Sequence, residues 1–253
     1  MGFVLGLLGG GGGILTVPIL VGFFGLTATE ATGSSLFVVG LTSTIGAGMG
    51  VAKKQTEVGP AILLAIPSMI GALASRRLLV PMIPNPILGV TKDQFLLGAF
   101  SVLMIVVGIR MFMKKKEGHE PKHNPILVVI YGLMIGVLSG TLGAGGGFLI
   151  LPVLTLLLGV EMEKAIPTSL LVICIQSLGG FLGELGKPID WKLLLSIAFV
   201  ALFGMGIGLT LRERAPRKTL QLAFAYMVFA VAAWMIFRTV SMNHSPAGVA
   251  LHR

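Results

Sequence analysis

Five consecutive glycines, Gly9-Gly10-Gly11-Gly12-Gly13, interrupt a stretch that is otherwise apolar enough to lie in a membrane. Glycine loses more backbone freedom on entering a helix than any other residue, at about 1 kcal/mol relative to alanine. A helix therefore does not run undisturbed through five of them, and the run reads as a built-in break. The same break recurs at Gly143-Ala144-Gly145-Gly146-Gly147.

The membrane reading comes from the charges. Of the 253 residues, 55% are hydrophobic and only 11% charged, against about 25% charged in a soluble domain. So few charges cannot cover a water-facing surface. Eight apolar segments can be counted, at approximately 2–26, 28–52, 58–80, 94–113, 125–158, 165–186, 191–211 and 219–240. Most approach the roughly 20 residues that cross about 30 Å of hydrocarbon. All are expected to be helical, because lipid offers backbone groups no other partner. The expected fold class is an all-α polytopic membrane protein.

The two breaks belong to a repeat. A shift of 134 residues places Gly2, Gly6, Leu8, Gly9, Leu15, Pro18 and Leu20 on Gly136, Gly140, Leu142, Gly143, Leu149, Pro152 and Leu154. The register continues without a gap, so that Ser35 falls on Ser169 and Ser43 on Ser177. The chain divides into a first half (1–113), a polar basic linker (114–124), a second half (125–240) and a polar tail (241–253). If every segment crosses, Lys and Arg divide eleven to eight between the two sides. If the two broken segments instead return to the side they started from, the division is twelve to seven. The second arrangement fits the positive-inside rule better. It makes the halves inverted and the linker cytoplasmic. The net charge of +9 then belongs to loops facing the membrane surface, and nucleic acid is not expected as a partner. The first 26 residues lack the basic start of a secretory signal. Cys174 is the only cysteine, which excludes an internal disulfide.

Non-helical backbone at membrane depth is tolerated where it is buried in protein or lines a watery cavity. A break followed by a helix start, expected at Ile14 and Phe148, leaves N–H groups without helical partners at the positive end of a helix dipole. That is an anion site. The candidate binding residues are Gly10, Gly11, Gly12 and Gly13 in the first break and Gly145, Gly146 and Gly147 in the second. Ser34, Ser35, Thr168 and Ser169 join them on the following helices, either as donors to the anion or as caps and back-bonded hydroxyls. Ser43, Gln176 and Ser177 are polar positions at membrane depth. Gln176 is the costliest to leave unsatisfied in lipid, so it is expected to face protein or a cavity. Arg76, Arg77, Arg110, Glu30, Glu57 and Asp190 lie near segment ends, where interfacial anchoring explains most of them. Glu184 stands out because it lies inside the apolar stretch 179–186.

The paired glycine-rich segments each end in a proline and lead to a Thr/Ser-Leu helix start, and Pro188-Ile189-Asp190-Trp191 precedes the seventh span. In these features the chain resembles the TauE/SafE family of sulfite exporters. The resemblance implies a multi-pass permease of the bacterial inner membrane for small sulfur-containing anions such as sulfite or organosulfonates. It also implies coupling to an ion gradient, with the proton as the candidate ion, and no cofactor. The alternatives are an anion channel or a permease for a non-sulfur organic anion. An enzyme is not expected. No His or Lys lies mid-span to activate a serine, and the clustered His, Cys or carboxylates of a metal site are missing from the apolar segments.

Overall fold

A computed structural model describes residues 1–8, 13–84, 91–112, 125–143, 145–156 and 158–212, and the isolated positions 226, 230, 233 and 234. The linker 114–124, the tail 241–253 and most of the eighth apolar segment lie outside the described residues. Among the described residues the regular structure is entirely helical.

Each broken segment is a pair of helices. α1 (Gly2–Leu8) and α2 (Thr16–Phe24) flank the first glycine run, and α3 (Ala28–Ala52) follows. α4 (Val58–Ala74) passes through one π-helical turn, Ser75–Leu79, into α5 (Val80–Met82), and α6 (Lys92–Phe112) completes the first half. In the second half α7 (Pro125–Leu142) and α8 (Gly147–Leu156) flank the break. α9 (Met162–Phe181) ends in a 3-10 turn, Leu182–Glu184, and α10 (Trp191–Arg212) follows. The helix starts after the breaks fall at Thr16 and Gly147, within two residues of those expected. α3 begins with a capping box: the Thr27 hydroxyl accepts from Glu30 N–H, and Glu30 accepts from Thr27 N–H. This arrangement satisfies two of the donors that a helix start leaves open.

Among the described residues, five helices are long and apolar enough to cross a membrane: Ala28–Ala52, Val58–Met82, Pro125–Leu142, Glu163–Glu184 and Trp191–Leu211. α4, α7 and α10 expose large apolar side chains, among them Ile70, Ile126, Phe199 and Phe203. In water such faces would be costly; in a bilayer they meet hydrocarbon. The chain is a polytopic membrane protein.

Glycines bring the helices together and reveal their directions. Gly132, Gly136 and Gly140 of α7 lie against Leu64, Ser68 and Ala72 of α4, and a Cβ at Gly136 would overlap the Ser68 carbonyl. α7 and α4 therefore run parallel. On α9, Gly179, Gly180 and Gly183 meet Met69, Ala72 and Arg76, so α9 also runs parallel to α4. Helix α1 packs in a similar manner. Gly2 and Gly6 of α1 meet Ala201 and Met205 of α10, while Phe37 and Gly46 of α3 meet Trp191 and Met205. α3 and α9 are antiparallel: Gly33, Gly40, Gly46 and Gly50 face Glu184, Leu178, Leu170 and Pro167 in turn. Close approach through small residues replaces the hydrophobic driving force that lipid removes.

Candidate functional site

The second break is the best-defined polar place inside the bundle. Gly143, Gly145 and Gly146 all have positive φ, at 68°, 66° and 63°, a conformation that costs other residues about 1–2 kcal/mol. They turn the chain from the end of α7 into α8, where the Gly146 carbonyl accepts from Leu149 and Ile150 N–H; a helix start leaves only its earliest N–H groups without an intrahelical partner. The break is held by α3, α7 and α9 together. Gly143 lies against Thr32, and the Ser35 hydroxyl donates both to the Thr32 carbonyl (2.8 Å) and to the Gly143 carbonyl. Gly145 faces Val39 and Ile173. Gly146 faces Gln176, Ile135 and Ser139, and a Cβ there would fall 2.7 Å from the Gln176 Nε2.

The side chains around this break are short of partners. Ser139 Oγ, both polar atoms of Gln176 and Ser177 Oγ are buried without a hydrogen bond from the protein. Gln176 and Ser177 are both 0% exposed. Leaving such a group unmade costs about 1–3 kcal/mol, so these side chains carry unmet hydrogen-bonding capacity inside the bundle. Ser139 is an addition that the sequence reading did not single out. Its signal was faint: a serine just before the break, one residue ahead of Gly140.

The remaining candidates are distributed differently. Gly10, Gly11 and Gly12 lie outside the described residues, and Gly13 is buried at the entry to α2. Ser43 donates to the Val39 carbonyl at 2.7 Å. Ser169 donates to Ile166 at 2.7 Å. The Thr168 hydroxyl donates to the Lys164 carbonyl and accepts from Glu57 N–H, which ties the start of α9 to the start of α4. Ser34 lines a separate cavity. Of the predicted residues, the structure brings together Gly145, Gly146, Gly147 and Gln176, with Ser35 at the adjoining Gly143, while Ser177 is buried on α9.

That separate cavity, of about 260 Å³, opens between α2, α3, α9 and α10. Thr29, Ser34, Glu184 and Lys187 form its polar wall, and Phe181 and Leu194 part of its apolar one. Behind the polar wall is Arg76. The expectation that Arg76 snorkels to an interface is corrected here: it is 0% exposed. Its Nη1 donates to Thr32 Oγ1 at 3.1 Å and its Nη2 to the Thr29 carbonyl at 3.3 Å. Its Nε lies 2.8 Å from Glu184 Oε1, as an ion pair set at too poor an angle to count as a hydrogen bond. Glu184 also receives Lys187 Nζ, at 3.0 and 3.1 Å. The guanidinium stays inside because α3 supplies Thr29 and Thr32 to it and the 3-10 turn after α9 supplies Glu184. The one sequence sign was Gly33, which stands where the repeat places Pro167. A Cβ at Gly33 would fall 2.6 Å from Arg76 Nη2 and 2.9 Å from Glu184 Oε2.

Comparison with known proteins agrees with this architecture. Residues 1–235 match the family described as "Sulfite exporter TauE/SafE". A "Probable membrane transporter protein" of Xylella fastidiosa (strain 9a5c) is 30% identical over 250 residues, covering 94% of this chain and 92% of the relative. "Probable membrane transporter protein MJ0441" of Methanocaldococcus jannaschii is 26% identical over 93% of each chain. "Probable membrane transporter protein YdhB" of Bacillus subtilis is 25% identical over 93% of this chain and 96% of its own length. No solved structure matches.

Proposed function

We propose that this chain, which belongs to the Sulfite exporter TauE/SafE family, is a secondary transporter that moves small sulfur-containing anions such as sulfite or organosulfonates out of the cell. The observation that carries the reading is the second glycine break, where Ser139 and Gln176 adjoin Gly146 at a helix start with no protein partners of their own. An oxyanion with several acceptor oxygens suits that set of O–H and N–H donors. The dipole of α8 adds partial positive charge without placing a full cation there.

In this reading the two halves are inverted. Their shared packing plan supports it, since α3 and α9 correspond under the 134-residue shift yet run antiparallel in contact. So does the parallel course of α7 and α9 beside α4, which brings the broken segment back to the side from which it came. Inverted halves that meet at broken helices are a recurrent plan for alternating access, one half rocking against the other. Lys53, Lys54, Lys164 and Arg212 then share the end from which α7 sets out, the cytoplasmic end of an inner-membrane protein by the positive-inside rule. Polar residues too sparse to line a continuous path favour a transporter over an anion channel.

The test is a thermal-shift panel on the purified protein with sulfite, thiosulfate, sulfoacetate, taurine, sulfate, acetate and chloride. A ligand of the folded state raises apparent stability. A shift confined to sulfite, thiosulfate or the sulfonates, followed by flux of the same anion in liposomes, is the expected outcome. A shift with acetate alone would replace sulfur anions by carboxylates, and no shift with any member would remove the anion site.

A further inference from the structure

The buried Arg76–Glu184 pair has an internal control. Under the 134-residue shift, Gly33 corresponds to Pro167 and Glu184 to Gly50. The related corner at the other end of α3 and α9 is therefore Pro167 and Thr56 against Gly50, with the Thr56 Oγ1 2.6 Å and the Pro167 Cβ 2.7 Å from where a Gly50 Cβ would stand. That corner packs with no buried charge of its own. The fold can close such a corner with uncharged groups, and buried ion pairs are often no more stabilising than the apolar residues that could replace them. Packing does not explain why charge is buried at one corner only.

Three further observations bear on what the charge is for. First, Arg76 is joined to the anion site. Its Nη1 holds Thr32 Oγ1, and the Thr32 carbonyl borders Gly143 and accepts from Ser35. The preceding residue, Ser75, has a buried Oγ without a partner and lies against Gly140. Second, Glu184 stands between the guanidinium and the cavity, which Glu184, Gly33 and Thr29 line. Third, Glu184 has a second cation within reach. Lys187 is half-exposed and already touches both carboxylate oxygens, so Glu184 can leave Arg76 without being left unpaired. The Arg76 Nε–H is aimed poorly at Glu184 and remains available as a donor. The other charges around the cavity are Glu30 and Asp190. Glu30 is committed to the α3 capping box and Asp190 accepts from Leu193 N–H at the start of α10. Asp93 accepts from Thr29.

We propose that Arg76 is a second anion-binding group, screened by Glu184, and that a substrate anion entering the cavity takes over the guanidinium while Glu184 remains with Lys187. The exchange is neutral in charge, one anion replacing another on the same cation. A guanidinium offers a planar fork suited to carboxylate, sulfonate or sulfite oxygens. The exchange also separates α9 from α3 and the π-helical turn, so occupancy loosens the contact that seals this end. π-helical turns recur at functional sites for this reason of local adjustability. The proposal rests on the anion-transport reading and names a second station for the same substrate.

The test measures sulfite and taurine binding to the full-length protein by titration calorimetry. Glu184→Gln removes the competing charge and is expected to tighten binding about tenfold, while liposome flux falls because the anion no longer leaves readily. Arg76→Met with Glu184→Leu leaves this corner without charge, as the related one is; it is expected to fold, yet to bind about tenfold more weakly than the unmodified protein. Unchanged affinity in either variant overturns the exchange. Should Glu184→Gln fail to fold, the double variant decides alone. Wild-type binding that is abolished by Gln176→Leu but indifferent to both changes leaves the break site standing and defeats only the second station. No anion binding to the wild type defeats both.

Discussion

Gln176 carries three of the buried protein's costliest options at once: two donors, an acceptor and no partner for either side. A leucine of similar size would remove the unmet amide. Gln176→Leu is therefore expected to leave the melting temperature of the ligand-free protein equal or higher, while abolishing its rise with anions. A lower melting temperature with the anion shift intact would make Gln176 structural. Gly33 gives the complementary case. Its α-carbon must admit both members of the ion pair, so Gly33→Ala forces the guanidinium or the carboxylate to move. Gly48 lies on the same helix with open space where a Cβ would go. Gly48→Ala should gain about 0.5–1 kcal/mol from helix propensity, whereas Gly33→Ala should lower thermal stability. Equal behaviour of the two would mean that the ion pair exerts no constraint on α3.

Among the elements, the break between α7 and α8 is where the backbone departs furthest from the helical rule. Gly146→Ala must hold a Cβ at φ 63° and 2.7 Å from Gln176 Nε2. We expect membrane insertion to persist and transport to be lost; transport at the wild-type rate would show that the left-handed turn is not needed at the site. Thr27→Ala tests a different element property. It removes the capping box at the start of α3 and should cost about 1 kcal/mol, read as a lower melting temperature without loss of anion specificity. Most of these elements were legible in advance. The spans expected at 28–52 and 191–211 are α3 and α10 to within one residue, because apolar length in lipid leaves few alternatives. The π-helical turn at Ser75–Leu79 carried no such mark, since Ser-Arg-Arg-Leu-Leu is compatible with an ordinary helix end.

At the scale of the molecule the question is orientation. The inverted reading puts Lys54 and Lys187 at opposite membrane faces. With Cys174→Ala as background, a single cysteine at position 54 should react with an impermeant maleimide only from the cytoplasmic side, and one at 187 only from outside. Labelling of both from one side would replace inversion by parallel halves. The exposed Lys164–Glu57 pair, at 2.7 Å, joins the two halves at the end that holds Lys54. Solvent and salt weaken such a pair, so its removal should scarcely alter stability, in contrast to any change at Arg76.

The amino-acid sequence by itself determined that this chain lies in a membrane and that two glycine runs, 134 residues apart, interrupt its apolar segments. Those are properties of composition, apolar length and internal register, all readable along the chain. It also singled out Gln176, because a mid-span amide is costly wherever it points. Only the tertiary structure decided what each polar group meets. Thr168 turned out to be engaged at the start of α4, while Ser139 was found beside Gly146 and Gln176. Arg76, a residue near a segment end by counting, became a buried cation because Thr29, Thr32 and Glu184 reach it from 47, 44 and 108 positions away along the chain. Partners at such separations are chosen by helix packing, and the electrostatic cost of burying a charge depends on those partners rather than on its neighbours in sequence.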